Sequence, residues 1–198
     1  MSTPHFDLEM DQGADWSNTF NWYGGGTFRA PIEEIDPGYP TQIRVTAHGL
    51  PSSSDTPVIL SGIIGAEVLN SKDTGIEMCT RVDADYFTVP VSTVASEWLV
   101  GTGEMTFYLP TNIAAFTARC KLKKYWHSTT ALATLTTENG GIVLDANDGS
   151  IKLIITDTVT AGFTFTTCVY DVEMISGTGE VTRAFKGTIT LSREITDA

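Results

Sequence analysis

Three histidines, His5, His48 and His127, stand on separate segments with no HxH, HxxxH or HExxH spacing. A metal site would therefore need a convergence in space that spacing does not supply. His48, within "AHGL", is expected to fix a turn by bonding to nearby backbone. Two acidic clusters, "DADYF" (Asp83, Asp85) and "DANDGS" (Asp145, Asp148), offer the oxygens a hard cation takes, yet neither continues to the glycine and distal glutamate of a calcium loop. Asp and Asn ahead of Gly are turn residues, and tight turns are the reading here. Catalysis needs a nucleophile with a base, or paired carboxylates in separated environments. Ser and Thr abound, but no GxSxG occurs and no histidine has an indicated partner. The glycine runs "GGG" at 24–26 and "GTGE" at 101–104 and 177–180 do not join a strand to a helix, so they read as hairpin turns and not phosphate loops. The expectation is a protein that is not an enzyme, with no catalytic, cofactor-binding or metal residues and no cofactor.

The cysteines, Cys79, Cys120 and Cys168, are odd in number, lack a CxxC and lie far apart. Cys120 and Cys168 occupy apolar positions of alternating segments, where a free thiol behaves as a small hydrophobe. Reduced thiols fit assembly in a cytoplasm. The N-terminus shows no basic stretch followed by an apolar one, and no window approaches about 18 consecutive apolar residues, so neither export nor a membrane partner is expected.

The formal net charge is −12, from 12 Lys and Arg against 24 Asp and Glu. Such a balance repels phosphate backbones, which argues against a nucleic-acid partner. One basic cluster stands out: Arg119, Lys121, Lys123 and Lys124. It reads as the solvated face of a strand or as an electrostatic patch for an acidic protein neighbour. Just beyond it lie Tyr125, Trp126 and His127. Aromatics are enriched at interface centres, so Tyr125 and Trp126, with Arg119, Lys121 and Lys123, are the candidate interface residues. Trp98 and Trp126 with Tyr125, or the pair Trp16 and Trp22, would alternatively make a sugar-stacking platform, although Trp16 and Trp22 sit at core positions.

These residues are carried on strands. "HFDLEM" aligns Phe6, Leu8 and Met10, and "WSNTFNWY" aligns Trp16, Phe20 and Trp22, which predicts a β-hairpin with "GGG" ending its second strand. Residues 36–64 hold four of the eight prolines and a Ser-rich turn around two short apolar runs, the texture of a small β module. Alternation resumes at 77–91 and 103–109. "FTARCKLKKYW" points Phe116, Ala118, Cys120 and Leu122 inward and Thr117, Arg119, Lys121 and Lys123 outward. "GSIKLIIT", "TTCVYDVEMI" and "VTRAFKGTITLS" follow, with "DTVTAG" long enough for one helical turn. In the last of these, the inward register carries one charge, Arg183, which suggests a strand end there. The class is all-β: an antiparallel β-sandwich, Ig-like, with little helix.

The segments "TARCKL", "LTTENGGIVLDANDGSIKLIIT" and "CVYDVEMISGTGEVTRAFKGTITLSREIT" resemble a family of small structural proteins encoded among the tail and baseplate genes of tailed phages. Members open on an "F-x-L-x-x-x-Q-G-x-x-W" strand pair, as residues 6–16 do here. The resemblance covers 6–33 and 114–196. In that family "PI" leads within a few residues into the "TAR" strand, whereas Pro31 and Ile32 here lie more than eighty residues before Thr117. The reading is a discontinuous sandwich of residues 1–33 and 113–198, with residues 34–112 inserted in one loop. The inserted piece resembles a module of phage tail and receptor-binding proteins, through "TAHGL", "VILSG", "LN" and "RVDADYFTV". The resemblance implies a virion structural protein, assembled in the host cytoplasm, that docks as a tail, baseplate or tail-fibre-attachment adaptor. Other virion proteins and further copies of itself, as a homo-oligomer, are the expected partners. Two alternatives stand beside it: a capsid decoration or head-fibre protein, and a host carbohydrate-binding module contacting glycan.

Overall fold

The computed structural model describes residues 3–51, 55–71 and 77–195, so the Ser-rich turn expected at 52–54 lies outside the described residues. In chain order the strands are β1 (Leu8–Asp11), β2 (Trp16–Asn21), β3 (Tyr23–Pro31), β4 (Glu34–Asp36), β5 (Thr41–Arg44), β6 (Thr56–Ser61), β7 (Glu77–Arg81) and β8 (Tyr86–Val89). They continue with β9 (Glu104–Pro110), β10 (Thr117–Lys123), β11 (Ala133–Thr136), β12 (Ile142–Asp145), β13 (Ser150–Ile155), β14 (Thr167–Ile175) and β15 (Val181–Ser192). Among the described residues helix is confined to one 3₁₀ turn, Glu67–Leu69, and α1 (Asp157–Ala161), which is the turn expected in "DTVTAG". The protein is nearly all-β, and its sheets are antiparallel apart from one pair of strands.

The chain divides into two compact units, residues 1–22 with 112–198 and residues 23–111. The first holds a five-stranded sheet, ordered β1-β15-β14-β10-β11, and a three-stranded sheet, ordered β12-β13-β2. Strict alternation explains both. In β10 and β14 every second side chain is buried, and Cys120, Leu122, Tyr170, Val172 and Met174 join Phe20, Ile151, Leu153 and Ile155 of the other sheet in one apolar core. Burial of large aliphatic and aromatic side chains contributes about 1.5–3 kcal/mol apiece.

The hairpin expected of β1 and β2 does not form. β1 pairs in parallel with β15, and β2 pairs antiparallel with β13. Period two selects which face is buried, and both strands do turn that face to the same core, but from opposite sheets. The indole N–H of Trp16 ties the crossing by donating to the Glu9 carbonyl at 2.7 Å.

Arg183 is not at a strand end. A bulge between Val172 and Glu173 leaves Ala184 without a cross-strand partner, since Val172 faces Phe185 and Glu173 faces Arg183. Ala184 and Phe185 are consecutively buried and Arg183 is exposed. One extra residue thus turns the charge outward with no break in the strand.

The second unit is a seven-stranded antiparallel sheet, ordered β3-β9-β6-β7-β8-β5-β4, over a core that includes Ile43, Val58, Leu60, Phe87, Val89, Met105 and Phe107. It begins at Tyr23, not at residue 34, because "GGG" continues a strand where the sequence suggested an end. β3 pairs with β9, and a Cβ at Gly25 would lie 2.5 Å from the Pro110 carbonyl oxygen, so the glycine permits this approach. The residues of the "AHGL" and "LN" patterns are structural. Asn70 brackets Ile63, accepting from its N–H at 2.9 Å and donating to its carbonyl at 2.8 Å.

Candidate docking face

β10 and β14 are neighbours in the five-stranded sheet and expose the alternate side chains that its core does not use. The register sets two rows across β10, β14 and β15: Arg119, Glu173 and Arg183 in one, Lys121, Asp171 and Lys186 in the other. Opposite charges directly across strands favour this arrangement. Arg119 reaches Glu173 at 2.7 Å, and Arg183 reaches Asp171 at 3.1 Å and Glu173 at 3.9 Å. The two carboxylates are thereby taken up by two guanidiniums. Lys121, Lys123 and Lys186 have no ion pair among the described residues.

A cavity of about 340 Å³ opens on this face, with Arg119, Lys121, Lys123, Trp126, Asp171 and Glu173 in its wall. Trp126 is 51% exposed, and the Lys186 ammonium lies 5.9 Å from its ring centre, within cation–π range. Of the five candidate interface residues, four therefore meet around one cavity. The fifth, Tyr125, is exposed beside it, stacks on His127 at 5.7 Å, and has the Lys124 ammonium 5.6 Å from its ring. Around the cavity five cations stand with two carboxylates in a chain whose net charge is −12, and the other acids of this face, Asp7, Glu9 and Asp11, lie on its β1 side. Asp171, Glu173 and Lys186 were not singled out by sequence, and Arg183 was read as a charge in the inward register, not as part of this face. The two acids were accessible as the outward set of β14, opposite Tyr170 and Val172, but nothing local marks β15 as the strand beside it.

The remaining chemically capable groups have structural partners. His48 is fully buried, its Nδ1 accepts from the Leu50 N–H at 3.0 Å, and its Nε2 lies 3.4 Å from the Tyr86 carbonyl. This is the turn-fixing role expected of it, and it requires the neutral ring with the proton on Nε2. Burial accordingly lowers its pKa. Asp83 accepts from the Asp85 and Tyr86 amides, Asp145 from the Asn147 amide, and Asp148 from the Ser150 amide. All three cysteines are free and buried, and burial pushes the Cys79 and Cys168 thiols up to about 12 and raises Cys120 as well. Trp16 is in the core, Trp22 packs edge-on against Phe116 at 5.8 Å, and Trp98 donates to the Thr102 carbonyl. Among the tryptophans, Trp126 is the one presented outward on the five-stranded sheet. No helix is long and apolar enough to cross a membrane among the described residues. In comparison with known proteins, no family model matches the chain and no curated protein matches it.

Proposed function

We propose that this chain is a structural component of a tailed-phage particle that works by docking, as an adaptor at the tail, baseplate or fibre attachment. The observation that carries the docking half is the outer face of the five-stranded sheet. Half of the chain's twelve cations, Arg119, Lys121, Lys123, Lys124, Arg183 and Lys186, lie on or beside it, together with two exposed aromatics. Exposed aromatic rings and guanidinium groups are the side chains that dominate binding energy at protein interfaces. The phage half rests on the sequence resemblance of residues 6–33 and 114–196. Two sheets closing on one core fit the Ig-like sandwich which that resemblance implies, with the 23–111 unit carried between its strands. In a particle, repeated copies turn weak single contacts into firm attachment.

Trp126 favours one second reading. An exposed indole next to cations and carboxylates is also what a host-glycan site presents, and a glycan array run with the wild type and W126A separates the two. For the adaptor, the test is immunogold labelling of intact particles with an antibody to residues 34–112, with mass spectrometry of purified virions carrying either wild-type chain or K121E/W126A. Label at the distal tail that is lost in the variant supports the adaptor, and label over the head replaces it with capsid decoration. Absence of the wild-type protein from purified virions overturns the reading.

A further inference from the structure

We infer that the occupant of this basic face is a second copy of the same chain, engaged through the acidic surface of its 23–111 unit, so that copies join head to tail. The inference rests on the docking reading above and names its partner. Charge on this chain is unevenly placed. Residues 23–111 carry eleven carboxylates against four cations, whereas the part of the sheet face around the cavity, on β10, β14 and β15, carries five cations against two carboxylates that are already paired, the other acids of that face, Asp7, Glu9 and Asp11, lying on its β1 side. Each copy therefore offers both halves of a complementary contact.

Symmetry follows from the same distribution. An isologous dimer centred on the cavity would set Lys121, Lys123 and Lys186 of one copy against the same lysines of the other, and like charges brought together oppose association. A heterologous contact, basic face to acidic unit, has no such penalty, and it closes into a ring or continues as a filament. Salt acts in two directions. With a net charge of −12 on each copy, long-range repulsion opposes encounter at very low ionic strength. At roughly 0.1 M salt the screening length is about 10 Å, short enough to quiet that repulsion and long enough to leave contact pairs intact; at about 1 M it is about 3 Å and the pairs weaken too.

The experiment is sedimentation velocity of the full-length chain across concentration at about 0.1 M and about 1 M salt. Association at the lower salt that dissolves at the higher is expected. K121E is expected to weaken it by about tenfold or more, because an attraction becomes a repulsion at a contact. K152E, which changes net charge equally on the outward side of β13 in the other sheet, is expected to leave it within about twofold. Fluorescently labelled K121E/K123E keeps its acidic unit, so when mixed with wild type it is expected to join assemblies and end them, reducing their mean size. A wild type that stays monomeric throughout, equal effects of K121E and K152E, or a double variant that never enters wild-type assemblies each overturns the inference. A monomeric wild type whose K121E form is nevertheless lost from virions would leave the docking reading standing, with a different acidic protein as partner.

Discussion

Replacing Gly187 by alanine probes how the N-terminal segment is seated beside the candidate docking face. A Cβ at this position would lie 1.7 Å from the Phe6 carbonyl oxygen and 2.7 Å from its carbon, so the backbone of the segment has to move. Three hydrogen bonds depend on its present place: the Phe6 N–H to the Lys186 carbonyl at 2.9 Å, the Lys186 N–H to the Pro4 carbonyl at 3.0 Å, and the Tyr170 hydroxyl to the Phe6 carbonyl at 3.0 Å. Phe6 also packs against Phe20 and Phe185, with ring centres 5.3 and 6.0 Å away. Tyr170 is 1% exposed, so its stranded hydroxyl costs about 1–3 kcal/mol, and each backbone bond lost adds about 0.5–1.5 kcal/mol. Alanine recovers about 0.5–1 kcal/mol by restricting the unfolded chain. The net is a destabilisation of about 2–4 kcal/mol, read as the shift in urea midpoint of the unit that contains Gly187, followed by near-UV circular dichroism. A cycle with Tyr170→Phe identifies the cause. Y170F is expected to cost about 1 kcal/mol in the wild type and close to nothing in G187A, where the bond is already broken. Equal Y170F costs in both backgrounds, or a G187A midpoint indistinguishable from wild type, would refute the reasoning.

Three further outcomes are expected. In Asn139→Ala, the turn after β11 loses the acceptor of the Thr136 and Gly141 amides and the donor to the Thr134 carbonyl, so stability falls by about 1–2 kcal/mol and the bared β11 edge raises light scattering on storage; an unchanged denaturation midpoint would contradict this. The native protein at pH 8 is expected to leave a thiol-titrating disulfide reagent unreacted, and the denatured chain to consume three equivalents; fast labelling of any native cysteine would show that burial does not hold the thiols protonated. His48 has its folded-state pKa below the ordinary 6.5, so between those values the unfolded chain binds a proton the folded one refuses. Its contribution is complete above about pH 6.5 and is lost as pH falls through the lowered value. Between pH 7.5 and 5.5, urea midpoints are expected to drop more for wild type than for His48→Asn, and parallel curves would count against the assignment.

Alternation told which residues are buried and which face water, because a strand's side chains have no third option. Cys120, Leu122, Val172 and Met174 went inward and Arg119, Lys121 and Lys123 outward as the pattern required. Strand partnership has no such local signature. Met10 and Phe20 enter the same core whether β1 and β2 pair with each other or, as they do, with β15 and β13. Boundaries suffered in the same way. "GGG" reads as a stop by composition, and only the partner strand β9 reveals that Gly25 lets two backbones meet.

The candidate docking face was legible where it lies on one strand and hidden where it is assembled across three. Arg119, Lys121 and Lys123 are two apart, so their common face is a consequence of strand geometry alone. Arg183 and Lys186 are three apart, and an odd separation on an unbroken strand places two side chains on opposite faces. Both point outward here because Ala184 is the extra residue of the bulge, which restores Lys186 to the row of Lys121 and sets Arg183 in the row of Arg119. Without the bulge, Arg183 would enter the core beside Phe185, an unpaired charge in an apolar layer that costs several kcal/mol. The bulge thus solves a stability problem and builds the electrostatic face with one backbone change. It also makes the face testable at a distance from its own charges. Deleting Ala184 to regularise β15 leaves Arg183, Phe185 and Lys186 in simple alternation, so both charges are expected to stay outward with Phe185 inward and salt-sensitive association to be kept, whereas a variant that loses it would show that the bulge itself shapes the face.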